Sequence, residues 1–211
     1  MSGAIGDPPV RGPAAARSRA FGVYLAGVGG QGIGLLGETL LRAADRAGLA
    51  TVGCDTHGLA QRGGVVVSHL RIGGPAHAPL VADGAADLVV ALERHEALRA
   101  ARSMLRDGGA LVWYDAVWQP LGVRLGEVAE VSRADVEAEA ALRRAAAHRV
   151  HRDDLPHVRM QNVAVLAEIA RHGLIPGVGR RHYEEALADL LEGASLERNL
   201  ALFRSLAAVI P

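Results

Sequence analysis

A chain of 211 residues is long enough to bury one sizeable core and too short for two comfortable ones. Its 23 basic and 23 acidic residues balance, so no global field draws it to nucleic acid or to an anionic membrane. All of the bases are arginine and the only cysteine is Cys54. That composition excludes a Schiff-base or Walker-type lysine, an internal disulfide, a four-cysteine zinc site and an iron–sulfur cluster held by these residues alone.

Residues 1–20 are rich in Gly, Pro, Ala and Arg without an apolar run, so they read as a mobile tail and not as a secretory signal. No stretch is long and apolar enough to span a bilayer, and with a lone thiol the cytoplasm is the expected compartment. Residues 21–211 read as a single α/β domain: a three-layer, Rossmann-like, mostly parallel sheet with a helical hairpin at its C-terminal end.

Phe21 to Ala26 is a short apolar strand, and Gly27-Val28-Gly29-Gly30-Gln31-Gly32 follows it at once. Such a turn lets backbone N–H groups approach an anion at the start of the next helix, so Gly27, Gly29, Gly30, Gln31 and Gly32 form a candidate anion-binding loop. The same glycines also serve a tight strand-to-helix turn that holds no ligand. Ile33, Leu36 and Leu40 recur at helical spacing, Gly48 stops the helix, and Thr51 to Cys54 makes the second strand of a βαβ unit. Asp55 at its end is spaced for a ribose contact or for capping a turn. Cys54, in an apolar run, reads as a small buried hydrophobe.

His57-Gly58-Leu59-Ala60-Gln61-Arg62-Gly63-Gly64 sets an imidazole, an amide and a guanidinium in one short loop. His57, Gln61, Arg62, Gly63 and Gly64 are the second candidate site, with Arg62 as a fork for a phosphate or carboxylate. Val65 to Ile72 is a strand whose alternation puts His69 and Arg71 on one face, at an edge or against a partner. Ala86 to Leu92 reads as a buried parallel strand. Glu93 then opens a helix to Leu105, either facing a ligand crevice or simply supplying the acidic first turn.

Asp107-Gly108-Gly109 reads as a turn before a strand from Ala110 to Tyr114, and Gly122 to Leu125 as a short edge strand. Ser132 and Asp135 resemble a capping box for an alanine-rich helix from Arg133 to about Arg149. His148, His151, Asp153, Asp154 and His157 invite a metal reading, because the two leading histidines lie one helical turn apart. Such residues at a helix end are more often solvated, and no metal is assigned. Met160 to Arg171 is apolar nearly all round, as for a helix buried between the sheet and a partner. Tyr183 to Leu191 and Leu196 to Leu206 carry amphipathic stripes for a terminal hairpin.

The glycine turn after the leading strand, together with His57 to Arg71 after the second, resembles the gamma-type chain of the 2-oxoacid:ferredoxin oxidoreductase family. The His-Gly and Ala-Gln preceding Arg62-Gly63-Gly64 are similar to the form found in beta subunits of indolepyruvate ferredoxin oxidoreductases, with Leu59 in place of a Met. Gln161-Asn162 and Asn199 extend the resemblance toward the C-terminal helices. It implies oxidative decarboxylation of indolepyruvate or another aryl pyruvate, with CoA (coenzyme A) as co-substrate and ferredoxin as electron acceptor. Thiamine diphosphate, Mg and iron–sulfur clusters are then expected on a larger alpha subunit and none on this chain, which has no Gly-Asp-Gly signature. The chain is accordingly expected to be inactive alone, with ferredoxin met through the complex. Two other readings remain beside it: a stand-alone NAD- or flavin-dependent oxidoreductase using Gly27, Gly29, Gly32 and Asp55, and a non-catalytic assembly scaffold.

Overall fold

The computed structural model describes residues 19–56, 64–75, 78–118, 125 and 129–208. Of the tail expected at 1–20 only Arg19 and Ala20 fall among them, and of the edge strand expected at Gly122 to Leu125 only Leu125 does, in a turn. The strands are β1 (Phe21–Val28), β2 (Thr51–Thr56), β3 (Val65–Ile72), β4 (Ala86–Ala91), β5 (Leu105–Tyr114) and β6 (Ala146–Val150). The helices are α1 (Ile33–Arg46), α2 (Arg94–Ser103), α3 (Arg133–Leu142), α4 (Gln161–Arg171), α5 (Arg180–Leu190) and α6 (Gly193–Ala207).

One six-stranded sheet runs in the order β2-β3-β1-β4-β5-β6. β1, β4, β5 and β6 pair in parallel, whereas β3 pairs antiparallel with both β1 and β2 and so runs against the other five. The sheet is mostly parallel, as expected, but β3 fills the slot between the two strands of the βαβ unit. Of the two readings of the His69 and Arg71 face, that removes the edge. His69 accepts a hydrogen bond on Nδ1 from the Val81 N–H at 3.1 Å and meets Tyr24 edge to face at 5.0 Å. Burial of this imidazole, opposed more weakly by the Asp83 charge, holds its pKa below the ordinary histidine value.

Helices α1, α4, α5 and α6 cover one sheet face around Leu25, Leu36, Leu40, Leu166, Tyr183 and Phe203. α2 and α3 cover the other around Ala91, Leu111, Trp113 and Val136. α4, for which a partner was one expected neighbour, packs on β5, β6, α1 and α6 of its own chain. No helix among the described residues is long and apolar enough to cross a membrane.

Two stretches depart from expectation. Gly108, at φ +67°, lets Asp107-Gly108-Gly109 run inside β5 beside a register shift between Ala86 and Leu88. The helix opened by the Ser132/Asp135 capping box does form, but it stops at Leu142. Arg144 turns left-handed at φ 51°, and Ala146 to Val150 pair in parallel with β5. Alanine's helix propensity loses there to the ladder offered by an open sheet edge.

Candidate functional site

The glycine turn leaves β1 at the point where the strand order reverses, since α1 departs toward one sheet face and α2 toward the other. A crevice at such a point is where open α/β sheets place ligands. Here Gln31 closes it. Its fully buried side chain accepts the Val28 N–H on Oε1 at 2.7 Å and donates from Nε2 to the Leu92 carbonyl, also at 2.7 Å. The amide thus bridges the ends of β1 and β4, and both of its polar atoms are engaged.

The cavity opens on the other side of the turn, with a volume of about 500 Å³. One wall is the turn itself, Gly29, Gly30 and Gly32, with the first residues of α1, Ile33, Gly34 and Leu35. Gly32 caps that helix in the left-handed region, at φ 85°, with no side-chain cap and no acid in the following turn. The leading N–H groups of α1 therefore face the cavity with the positive end of the helix dipole behind them. The floor is Asp55, Val66 and Ser68 from β2 and β3, where Asp55 lies in register with Ser68.

The far wall comes from the C-terminal third of the chain. Arg159, in the short 3-10 turn before α4, lines it, and no carboxylate pairs with its guanidinium among the described residues. Asn162 sets Nδ2 3.5 Å from the Gly32 carbonyl, and a Cβ on Gly32 would lie 2.7 Å from that nitrogen. Asn199 of α6 joins the same wall and donates to the Ser195 carbonyl at 2.7 Å. Composition and local pattern single out none of these three. Only the likeness of Gln161-Asn162 and Asn199 to a known family drew attention to that wall, and Arg159 carried no signal.

The candidate loop residues His57, Gln61, Arg62 and Gly63 lie outside the described residues. Their flanks do not. The chain leaves the sheet at Thr56 and rejoins it at Gly64, whose carbonyl accepts the Gly29 N–H at 3.0 Å. Gly64 thus ties the start of β3 directly to the glycine turn. Cys54 is half-buried on the opposite face of β2 from Asp55.

Glu93 does not face a crevice. It is fully buried as the cap of α2, accepting the Glu96 N–H at 3.0 Å and contacting His95 Nδ1 at 2.9 Å. His95 accepts the Val131 N–H on Nε2, so its proton sits on Nδ1 and is donated to Glu93. Asp115, at the end of β5, accepts from Arg94 Nε at 2.8 Å and Arg149 Nε at 2.6 Å. Burial works to raise its pKa, but the two guanidinium hydrogen bonds win and hold the carboxyl below its ordinary range.

The histidines and acids of 148–157 are not gathered as one set, because β6 replaces the helix that would have stacked them. His151 pairs with Asp153 at 3.1 Å, Arg152 pairs with Asp154 at 2.6 Å, and His157 caps the 3-10 turn.

The sequence profile of the pyruvate ferredoxin/flavodoxin oxidoreductase family matches residues 22–208. An indolepyruvate oxidoreductase subunit IorB from Archaeoglobus fulgidus is 51% identical over 80 residues, which are 38% of this chain and 39% of that protein. Across the matching curated relatives the aligned stretch spans 39% to 52% of their length, so the chain spans about half of them or less. Among solved structures, the fold is similar to the gamma subunit of a keto/oxoacid ferredoxin oxidoreductase from Geobacter sulfurreducens. The TM-score is 0.60 at 19% identity, over 89% of this chain and 96% of that one. It is also similar to a 2-oxoglutarate:ferredoxin oxidoreductase from Magnetococcus marinus solved with 2-oxoglutarate, coenzyme A and succinyl-CoA. There the TM-score is 0.65 at 18% identity, over 90% of this chain and 31% of that one.

Proposed function

The chain belongs to the pyruvate ferredoxin/flavodoxin oxidoreductase family, and from that premise we propose that it is the accessory subunit of a cytoplasmic complex that oxidatively decarboxylates indolepyruvate or another aryl pyruvate. In that reaction the 2-oxoacid loses carbon dioxide, its acyl carbon is captured by the CoA thiol, and the electron pair passes to ferredoxin. The name shared by the curated relatives supports the aryl substrate. These 211 residues hold one cysteine and no Gly-Asp-Gly signature, so their donor set does not fit an iron–sulfur cluster or thiamine diphosphate. Thiamine diphosphate with Mg, and the clusters that carry electrons onward, belong in this reading to a larger alpha subunit.

The role assigned to this chain is to hold an anionic group of CoA or of the oxoacid. The observation that carries it is the cavity, lined by the N-terminus of α1, which has no side-chain cap, and by Arg159, which has no acidic partner among the described residues. Fixed N–H donors and a guanidinium around one space are a general means of binding phosphate or carboxylate. Asn162 and Gly64 contact the turn at Gly32 and Gly29, and Gln31 ties it to Leu92. Asp55 lines this cavity and Gly64 is bonded to the glycine turn, and in this reading Arg62, between them in the sequence, adds a second guanidinium where the partner subunit meets the chain.

The test is Arg62→Ala in the assembled complex. Loss of a charge-assisted pair costs about 1.5 to 3 kcal/mol, so the Michaelis constant for CoA or for the oxoacid should rise by about tenfold to a hundredfold. Unchanged turnover with unchanged Michaelis constants for both substrates removes the role of Arg62.

The floor of the same cavity favours one second reading, since Asp55, the acid spaced in the sequence for a ribose contact, lines it. A stand-alone NAD- or flavin-dependent enzyme predicts micromolar binding of one of those cofactors to the isolated chain by calorimetry. The accessory-subunit reading predicts none.

A further inference from the structure

His148 on β6, Glu168 on α4 and His172, the C-terminal cap of α4 one turn beyond Glu168, converge where the edge of the sheet meets the end of that helix. Glu168 Oε1 lies 3.6 Å from His148 Nδ1 and 3.0 Å from His172 Nε2. One ligand atom from each residue falls within 4.8 Å of the other two, and among the described residues this is the one such group of three. Donor atoms around a tetrahedral ion with bonds of about 2.0 to 2.1 Å stand about 3.3 Å apart, and the two distances to Glu168 Oε1 bracket that value.

An i,i+4 pair of Glu168 and His172 is an ordinary helix contact and needs no third group. What it does not explain is the second imidazole brought from another element onto the same oxygen. The two rings stand 4.4 Å apart between centroids, close enough that two protonated imidazoles would repel. Arg171 holds the other carboxylate oxygen, Oε2, at 2.7 Å, which leaves Oε1 turned to the imidazoles. Hydrogen bonds of that kind orient metal-binding carboxylates.

We propose that His148, Glu168 and His172 form a binding site for a divalent transition ion of the zinc class, clipping the edge strand β6 to the end of α4. Two imidazoles and one carboxylate are a donor set that such ions accept, with water in the fourth position. The side chains of His148 and Glu168 are largely buried, 16% and 15% exposed, while His172 at 39% leaves an entry from solvent. The site is remote from the glycine turn, so the ion has no part in the proposed chemistry and acts on stability.

The test uses the untagged full-length chain, stripped with a chelator and dialysed against zinc, with cobalt as a spectroscopic probe. About one equivalent of zinc should bind, cobalt should give the intense visible bands of a tetrahedral site, and zinc should raise the melting temperature. His172→Ala, a change at an exposed position, should abolish the bands and the thermal shift, and so should His148→Ala. His157→Ala, outside the cluster, should change neither. Absence of tetrahedral cobalt bands in the wild-type chain, or zinc affinity unchanged in His172→Ala, overturns the proposal. Should His148→Ala fail to fold, the wild-type spectrum and His172→Ala decide.

Discussion

Gln31 is the residue on which the site's geometry depends most. Glutamine in a glycine turn offers an amide to a ligand or to the backbone, and here both of its ends serve the backbone, at Val28 and Leu92. Replacing it by leucine leaves a buried N–H and a buried carbonyl without their partner, which costs about 2 to 4 kcal/mol. Denaturant unfolding of Gln31→Leu should show that loss, and a change below about 0.5 kcal/mol would mean the bridge is dispensable. Asp115 gives a pH-dependent counterpart. Its carboxyl titrates lower folded than unfolded, so its contribution is present above the unfolded value near 3.8 and is lost as pH falls through the folded one. The melting-temperature gap between wild type and Asp115→Asn should therefore be widest near neutrality and shrink below pH 4. A gap that stays constant down to acid pH would contradict the Arg94 and Arg149 pairing. The Gln31 role was not legible in the chain, because Leu92 lies 61 residues away. The glycine turn around it was, because glycine spacing is local.

At the scale of elements, what could be read in advance was whatever depends on near neighbours. The alternation of β3 sets Ser68, Leu70 and Ile72 opposite His69 and Arg71, and the structure buries those three; the capping box at Ser132 starts α3 where expected. What escaped was pairing. Nothing local in Val65 to Ile72 says that it runs antiparallel between β1 and β2, and nothing in Ala146-Ala147-His148-Arg149-Val150 outweighs alanine's preference for helix. The switch at the end of α3 rests on Arg144, a side-chain-bearing residue held at φ 51°. Its pairing with Asp107 is exposed on both sides and contributes little. Glycine adopts that backbone freely, so Arg144→Gly should stabilise the chain by about 0.5 to 1 kcal/mol, read as a higher melting temperature. A lower one would mean that the ion pair, not the backbone, holds the junction.

Across the whole molecule, the sheet brings the start of α1 and the floor of the cavity from its N-terminal half, and the C-terminal helices close the far wall with Arg159, Asn162 and Asn199. The α/β class and the family resemblance were legible because the motifs that carry them are short and contiguous. The cavity was not, since its walls are more than 100 residues apart in the chain, as Asn162 against Gly32 shows. This domain belongs to a family of oxidoreductases yet holds one cysteine, too few for an iron–sulfur cluster, so under the proposed function activity belongs to an assembly. The direct measurement is CoA-dependent reduction of ferredoxin or a viologen dye with indolepyruvate. It compares this chain alone, a larger chain bearing thiamine diphosphate and iron–sulfur clusters alone, and the two together. Turnover is expected only in the pair. Full turnover by the larger chain alone, or none in the pair under conditions where both are folded and bound, would contradict it.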